Sequence, residues 1–235
     1  MSGPACGARP ERDLVILVHG LSRTRHSMRH LRRAAEAAGF ATQCWAYPSR
    51  RHGVRELVQS FRRYLLRLGP RGGRVHFIGH SLGAILIRAA LLEPVPFRIG
   101  RIVMLAPPNR GVGLVERLSH LAFLQRIFGR PSAELGPGSR FLRRLGTPAA
   151  EIGVIAGSRR FHPCNPTSWL NLALNPAAET DGTVELASTK LPGMRDFLVV
   201  DANHSFIIAD DEAIEAAIAF LHRGTFPRPA VAKAT

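Results

Sequence analysis

The chain has 235 residues, 46% of them hydrophobic, and a mean hydropathy of +0.01, enough for one soluble domain with a full core. It has no apolar run long enough to cross a membrane as a helix, and residues 1–12 carry no apolar stretch of a signal peptide. The net charge is +15, yet Lys190 and Lys233 are the only lysines and the arginines are scattered along the whole length. That pattern reads as a compositional bias toward arginine, and no nucleic-acid-binding motif accompanies it. Cys6, Cys44 and Cys164 are too few and too widely spaced for a zinc site or a disulfide framework. A cytoplasmic protein without metal or cofactor is expected, with flexible tails over 1–12 and 223–235 around a domain over 13–222.

Residues 13–19 contain a continuous apolar run, the mark of a strand buried on both faces of a parallel sheet. Gly20-Leu21-Ser22 turns the chain into a helix over 24–38, with Met28, Leu31, Ala35 and Ala38 on one face and arginines on the other. Gly39 closes it, and residues 41–46 read as the next strand. A second helix follows, with Val54, Leu57, Val58, Phe61, Leu65 and Leu68 at spacings of mostly three and four.

Residues 74–78 form another apolar strand, followed at once by Gly79-His80-Ser81-Leu82-Gly83 and a helical run from Ala84 to Leu92. A serine flanked by two glycines between strand and helix marks a turn too tight for side chains on either side. It leaves the hydroxyl exposed at the strand end, above a helix N-terminus. This unit resembles the nucleophile elbow of α/β-hydrolases, in which an acid and then a histidine follow the serine along the chain.

The alternation continues with a strand over 101–106, which predicts right-handed βαβ units and a sheet covered by helices on both faces. It breaks over 107–150, a stretch rich in Pro, Gly and Arg that contains an amphipathic segment from Val112 to Phe128. Strands over 151–156 and 197–200 and a last helix over 206–221 complete the pattern.

A serine hydroxyl becomes a nucleophile when a base takes its proton and a third group orients that base. Of ten histidines, His120, His162, His204 and His222 lie after Ser81. His204 follows the last predicted strand on a loop, whereas His120 and His222 fall in helices and His162 comes too early. The acid must lie between Ser81 and His204 on a loop at the same sheet edge. Asp181, beside Gly182, is the first candidate and Asp201 its rival. The oxyanion of an acyl-transfer intermediate would be held by the backbone N–H groups of Leu82 and Leu21, with Gly20 leaving room for substrate. His19 and His80 read as packing or hydrogen-bonding residues.

Taken together, VILVHGL (15–21), Tyr47-Pro48-Ser49, VHFIGHSLGA (75–84), IVMLAPPNRG (102–111), DGTV (181–184) and NHSF (203–206) resemble compact bacterial lipase-like and esterase-like members of the α/β-hydrolase superfamily. The resemblance covers most of the chain in the family order. It implies an α/β-hydrolase fold with a lid-like insertion over 107–150. It also implies hydrolysis of a carboxylic ester through an acyl-enzyme, with Ser81 as nucleophile, His204 as base and Asp181 as acid. A small-molecule or lipid ester is the expected partner. The insert's arginines (Arg110, Arg117, Arg126, Arg130) suit a peripheral contact with an anionic membrane surface, and no nucleic acid is expected. An insert packed permanently onto the domain is the alternative. Trp169, Leu170, Leu172 and Leu174 line an acyl pocket or pack on the core. An acyltransferase or thioesterase would use the same three residues, and a non-catalytic binding module would need none of them.

Overall fold

A computed structural model describes residues 11–117, 131 and 134–228. In chain order, strand β1 (Leu14–Val18) leads through helix α1 (Arg29–Ala37) to β2 (Ala41–Trp45), and α2 (Val54–Arg67) leads to β3 (Val75–His80). Next come α3 (Leu82–Ala90), β4 (Ile99–Leu105), the short α4 (Gly113–Arg117) and α5 (Arg140–Arg144), and β5 (Glu151–Gly157). Helices α6 (Pro166–Leu174) and α7 (Leu186–Thr189) precede β6 (Asp196–Val200), and α8 (Asp211–Arg223) ends the series.

The six strands form one sheet in the order β2-β1-β3-β4-β5-β6, and every pairing is parallel. Alternation along β1 explains the layering. Leu14, Ile16 and Val18 join a core with α2 and α3, whereas Val15 and Leu17 join a second core with α1 and α8. The helical faces read from spacing are the buried ones: Met28, Leu31 and Ala35 on one side, and Val54, Leu57, Phe61 and Leu65 on the other. Parallel strands put all their carboxyl ends at one edge, and the order reverses direction at β1, which opens a crevice there.

Three boundaries differ from the periodic pattern by more than two residues. The first helix begins as a 3-10 turn over Arg25–Met28. The last helix starts at Asp211 instead of 206, because the Asp210 carboxylate caps it by accepting from the Ala213 N–H at 3.0 Å. Gly224 and Phe226, expected in a flexible tail, are buried instead. Phe226 is buried against Phe220, its N–H donates to Asp196 Oδ2 at 2.7 Å, and Arg228 pairs with the same carboxylate. Arg12 and Glu11 border β1, and Glu11 pairs with Arg71. The remaining tail residues 1–10 and 229–235, Cys6 among them, lie outside the described residues.

The insertion is fastened to the domain at both ends. Arg88 of α3, buried, donates to the carbonyls of Leu145 and Gly146 and to both oxygens of Asn109. Asn109 Nδ2 in turn donates to the Thr189 carbonyl at 2.8 Å. Glu134 Oε1 accepts from the Val54 N–H at 2.8 Å and so caps α2. The middle of the segment, 118–130 with His120, Arg126 and Arg130, lies outside the described residues. Among the described residues no helix is long and apolar enough to cross a membrane.

Burial lowers the pKa of Arg88 to about 10, so it stays a cation at neutral pH and faces only neutral oxygens. Arg88→Ala leaves those acceptors unsatisfied in the interior. It is expected to cost about 2–4 kcal/mol in urea unfolding, whereas Arg32→Ala, in an exposed pair with Glu36, should fall within about 0.5 kcal/mol of the parent.

Candidate active site

The site starts from backbone geometry. Strand β3 ends at His80, α3 begins at Leu82, and Ser81 between them has φ +50° and ψ −119°. A non-glycine residue in such a conformation stores on the order of 1–3 kcal/mol of strain. Both flanking glycines are required by contact. A Cβ on Gly79 would sit 2.6 Å from Ala84 Cα, and one on Gly83 would sit 2.3 Å from the Val18 carbonyl oxygen. The Ser81 N–H donates to the Leu105 carbonyl at 2.9 Å, tying the turn to β4.

The loop after β6 brings His204 to this turn. Its Nε2 lies 3.1 Å from Ser81 Oγ, and its Nδ1 lies 2.7 Å from Asp181 Oδ2. Asp181 is 1% exposed. Its other oxygen, Oδ1, accepts from the backbone N–H groups of Thr183 (3.0 Å) and Val184 (2.7 Å). Its carbonyl accepts from the His204 N–H at 2.9 Å and from Asn203 Nδ2 at 2.8 Å. The two loops are thus locked together through backbone as well as side chains. Asp201, the rival acid, points into solvent and pairs with Arg159 at 2.8 Å.

Asn203 is the residue that sequence reasoning passed over. Besides holding Asp181, its Oδ1 accepts from buried Asn165 Nδ2 at 2.8 Å, which ties α6 to the His204 loop. The Asn-His pair adjoining a strand end was its only trace in the sequence.

The turn after β1 faces Ser81. Tyr47 donates its hydroxyl to the His19 carbonyl at 2.6 Å and stacks on the His19 ring, and the Ser22 N–H donates to Ser49 Oγ at 3.0 Å. These contacts give the Tyr47-Pro48-Ser49 motif a use: it sets the turn that carries Leu21. Burial raises the Tyr47 pKa, which keeps the hydroxyl a donor. Leu82 opens α3, where backbone N–H groups have no intrahelical partner. Gly20 has a different reason from the one expected. Its missing side chain makes room for the His80 ring, whose Nδ1 would lie 2.7 Å from a Cβ there.

His80 is buried beneath the site, and its Nε2 bonds the His204 carbonyl at 3.0 Å. Burial, then the neighbouring His204, push its pKa well below 6.5, so it serves as a neutral donor. His19 is likewise a packing residue.

Leu21, Ser81 and His204 border a cavity of about 320 Å³. One part of its wall is apolar, formed by Pro108, Val112, Leu114, Val115 and Leu135 of the insertion, and another carries Arg23, Asn165, Thr167 and Thr183. Val112 and Leu114 pack on Val184 and Leu170, so the insertion sits on the loop that bears Asp181. Trp169 neither lines the cavity nor joins the core. It is 53% exposed, with its Nε1–H donating to the His162 carbonyl. Among the described residues no cluster of three His, Cys, Asp or Glu side chains could hold a metal ion. A serine, an imidazole and a buried carboxylate in one hydrogen-bonded line can pass a proton from hydroxyl to ring.

Because His80 binds its proton more weakly folded than unfolded, the unfolded chain takes up more protons as acidity rises. The stability present above about pH 6.5 is therefore lost as pH falls below that value. His80→Gln, which keeps a donor for the His204 carbonyl, should flatten the pH dependence of urea unfolding by up to about 1.4 kcal/mol per pH unit. An unchanged slope would show that His80 titrates freely.

The sequence model of the Alpha/beta hydrolase family matches residues 15–232. No curated protein matches the chain. Among solved structures it is similar to the Bacillus licheniformis lipase BlEst2 in its mature form, with a TM-score of 0.75, 16% identity, and 93% of this chain and 96% of that one covered. It is also similar to the metagenomic carboxyl esterase MGS0156 (TM-score 0.68, 19% identity, covering 97% of this chain and 75% of that one). The phospholipase PlaB from Legionella pneumophila superposes with a TM-score of 0.67 at 20% identity, over 87% of this chain and 56% of PlaB. At such identities the likeness is one of fold, and the family match carries the assignment: this chain belongs to the Alpha/beta hydrolase family.

Proposed function

We propose that the protein is a serine-dependent carboxylic ester hydrolase acting on a hydrophobic acyl ester through an acyl-enzyme. The observation that carries this reading is the unbroken line Ser81 Oγ–His204–Asp181, whose Ser81 and His204 border a cavity with an apolar wall. In the first half-reaction Ser81 Oγ attacks the ester carbonyl while His204 Nε2 takes its proton. The carbonyl oxygen gains the negative charge, which the N–H groups of Leu21 and Leu82 stabilise. Collapse expels the alcohol, protonated by His204, and leaves an acyl-Ser81. Water, deprotonated by His204, then releases the acid and returns the serine. Asp181 holds the His204 Nδ1 proton and stabilises the imidazolium throughout.

The lipase, phospholipase and carboxyl esterase among the similar structures lend this chemistry support. The apolar wall from the insertion suits an acyl chain. Exposed Arg110 and Arg117, on the same segment, favour a peripheral contact with an anionic membrane surface. Cys44 and Cys164, both free thiols, suit a reducing compartment such as the cytoplasm.

Steady-state hydrolysis of p-nitrophenyl esters of increasing chain length tests the proposal. Ser81→Ala should reduce turnover to background. Asp181→Asn should lower kcat about 10,000-fold, whereas Asp201→Asn should stay within a few fold of the parent, about what an exposed pair contributes. Turnover that survives Ser81→Ala would overturn the assignment.

A further inference from the structure

The cavity at Ser81 holds a guanidinium that the proposed hydrolysis leaves without a role. Arg23 lines the cavity together with Ser81 and His204. It closes the turn after β1, where its own N–H donates to the Gly20 carbonyl at 3.3 Å. Among the described residues the side chain has one hydrogen bond, from Nη2 to the Ser205 carbonyl at 3.5 Å, the limit of such contacts. Among the described residues no carboxylate lies within ion-pair distance of it. Other arginines differ: Arg62, Arg101, Arg159 and Arg195 each meet an acid.

The rest of the cavity gives that charge nothing to pair with. No Asp or Glu lines it among the described residues, and His80, which does, is kept neutral by burial. Desolvation also pushes the Arg23 pKa down, the expected effect of withdrawing a cation from water without a counter-ion. An anion bound in the cavity would offset that cost with a charge-assisted, two-pronged contact. Position matters as much as charge. Arg23 borders the same cavity as Leu21 and Ser81, and its Nη2 reaches the carbonyl of Ser205, the residue after His204. A group held by Arg23 therefore shares one cavity with an ester at Ser81.

We propose that Arg23 is a specificity residue and that the natural ester is amphiphilic: its apolar chain lies on the insertion wall, and an anionic group close to the scissile ester, a phosphate or a carboxylate, is bound by the Arg23 guanidinium. The proposal rests on the ester-hydrolase reading of the Ser81 site.

Calorimetric titration of the full chain carrying Ser81→Ala tests it without turnover. The probes are octyl phosphate, octanoate and octanol, each below its micelle concentration. At least one anion should bind about tenfold or more tightly than octanol, as expected for a hydrogen bond to a charged group. The tighter of the two anions identifies phosphate or carboxylate chemistry. Adding Arg23→Gln should remove the preference, and Arg23→Lys should restore part of it, with unchanged circular dichroism showing that each variant folds. Equal binding of octanol and both anions, or a preference that survives Arg23→Gln, would overturn the proposal. Parallel p-nitrophenyl ester assays on the Ser81-containing protein separate the two readings. Activity with no Arg23-dependent preference sinks the anion site alone, and a preference without Ser81-dependent activity sinks the hydrolase reading alone.

Discussion

A single strained residue organises this molecule. Ser81 holds a positive φ only because its neighbours leave the chain no alternative. Strand β3 is clamped between β1 and β4, with Val18 opposite Gly79 and His80 opposite Leu105. Gly83 then brings α3 onto the Val18 and His19 carbonyls. The contact that forces the serine outward therefore also fixes the end of β1, and with it the turn that carries Leu21 and Arg23. Ser81, the backbone of Leu21 and the Arg23 side chain share one piece of scaffolding, and a slip in it would displace all three.

The arginine-rich composition acquires a physical meaning in the same frame. Several arginines act as donors to carbonyls that helix ends leave unsatisfied. Arg62 reaches the Ala90, Glu93 and Pro94 carbonyls after α3, and Arg101 reaches those of Leu221 and His222 at the end of α8. Arg88 does similar work for the insertion. Part of the charge is thus structural wiring, which a net value of +15 conceals. Arg23 differs from these in lining the cavity at Ser81.

Wherever burial imposes a period, the sequence was legible. The alternation in β1 and the spacing in α1 and α2 record which faces meet the sheet, and the glycines around Ser81 record a contact too close for a Cβ. The order of elements pointed to His204 and favoured Asp181, while Asp201 remained open because it leaves β6 only three residues before the histidine. What separates them is where each loop folds: Asp181 lies under His204, and Asp201 turns out to Arg159. Contacts between distant loops leave no period. Asn203 bridging to Asn165, Gly20 yielding to His80, and Phe226 returning to Asp196 were invisible for that reason. Trp169 was ambiguous because an apolar residue on a short helix has the same signature whether it faces core, cavity or water.

The proposed hydrolysis needs Ser81 to be a nucleophile activated by His204. Intact-mass measurement after exposure to a small fluorophosphonate tests it without knowledge of the natural ester, comparing the parent with Ser81→Ala. One phosphonyl adduct is expected on the parent and none on Ser81→Ala. A folded parent that remains unmodified, or an equal adduct on both proteins, would contradict it.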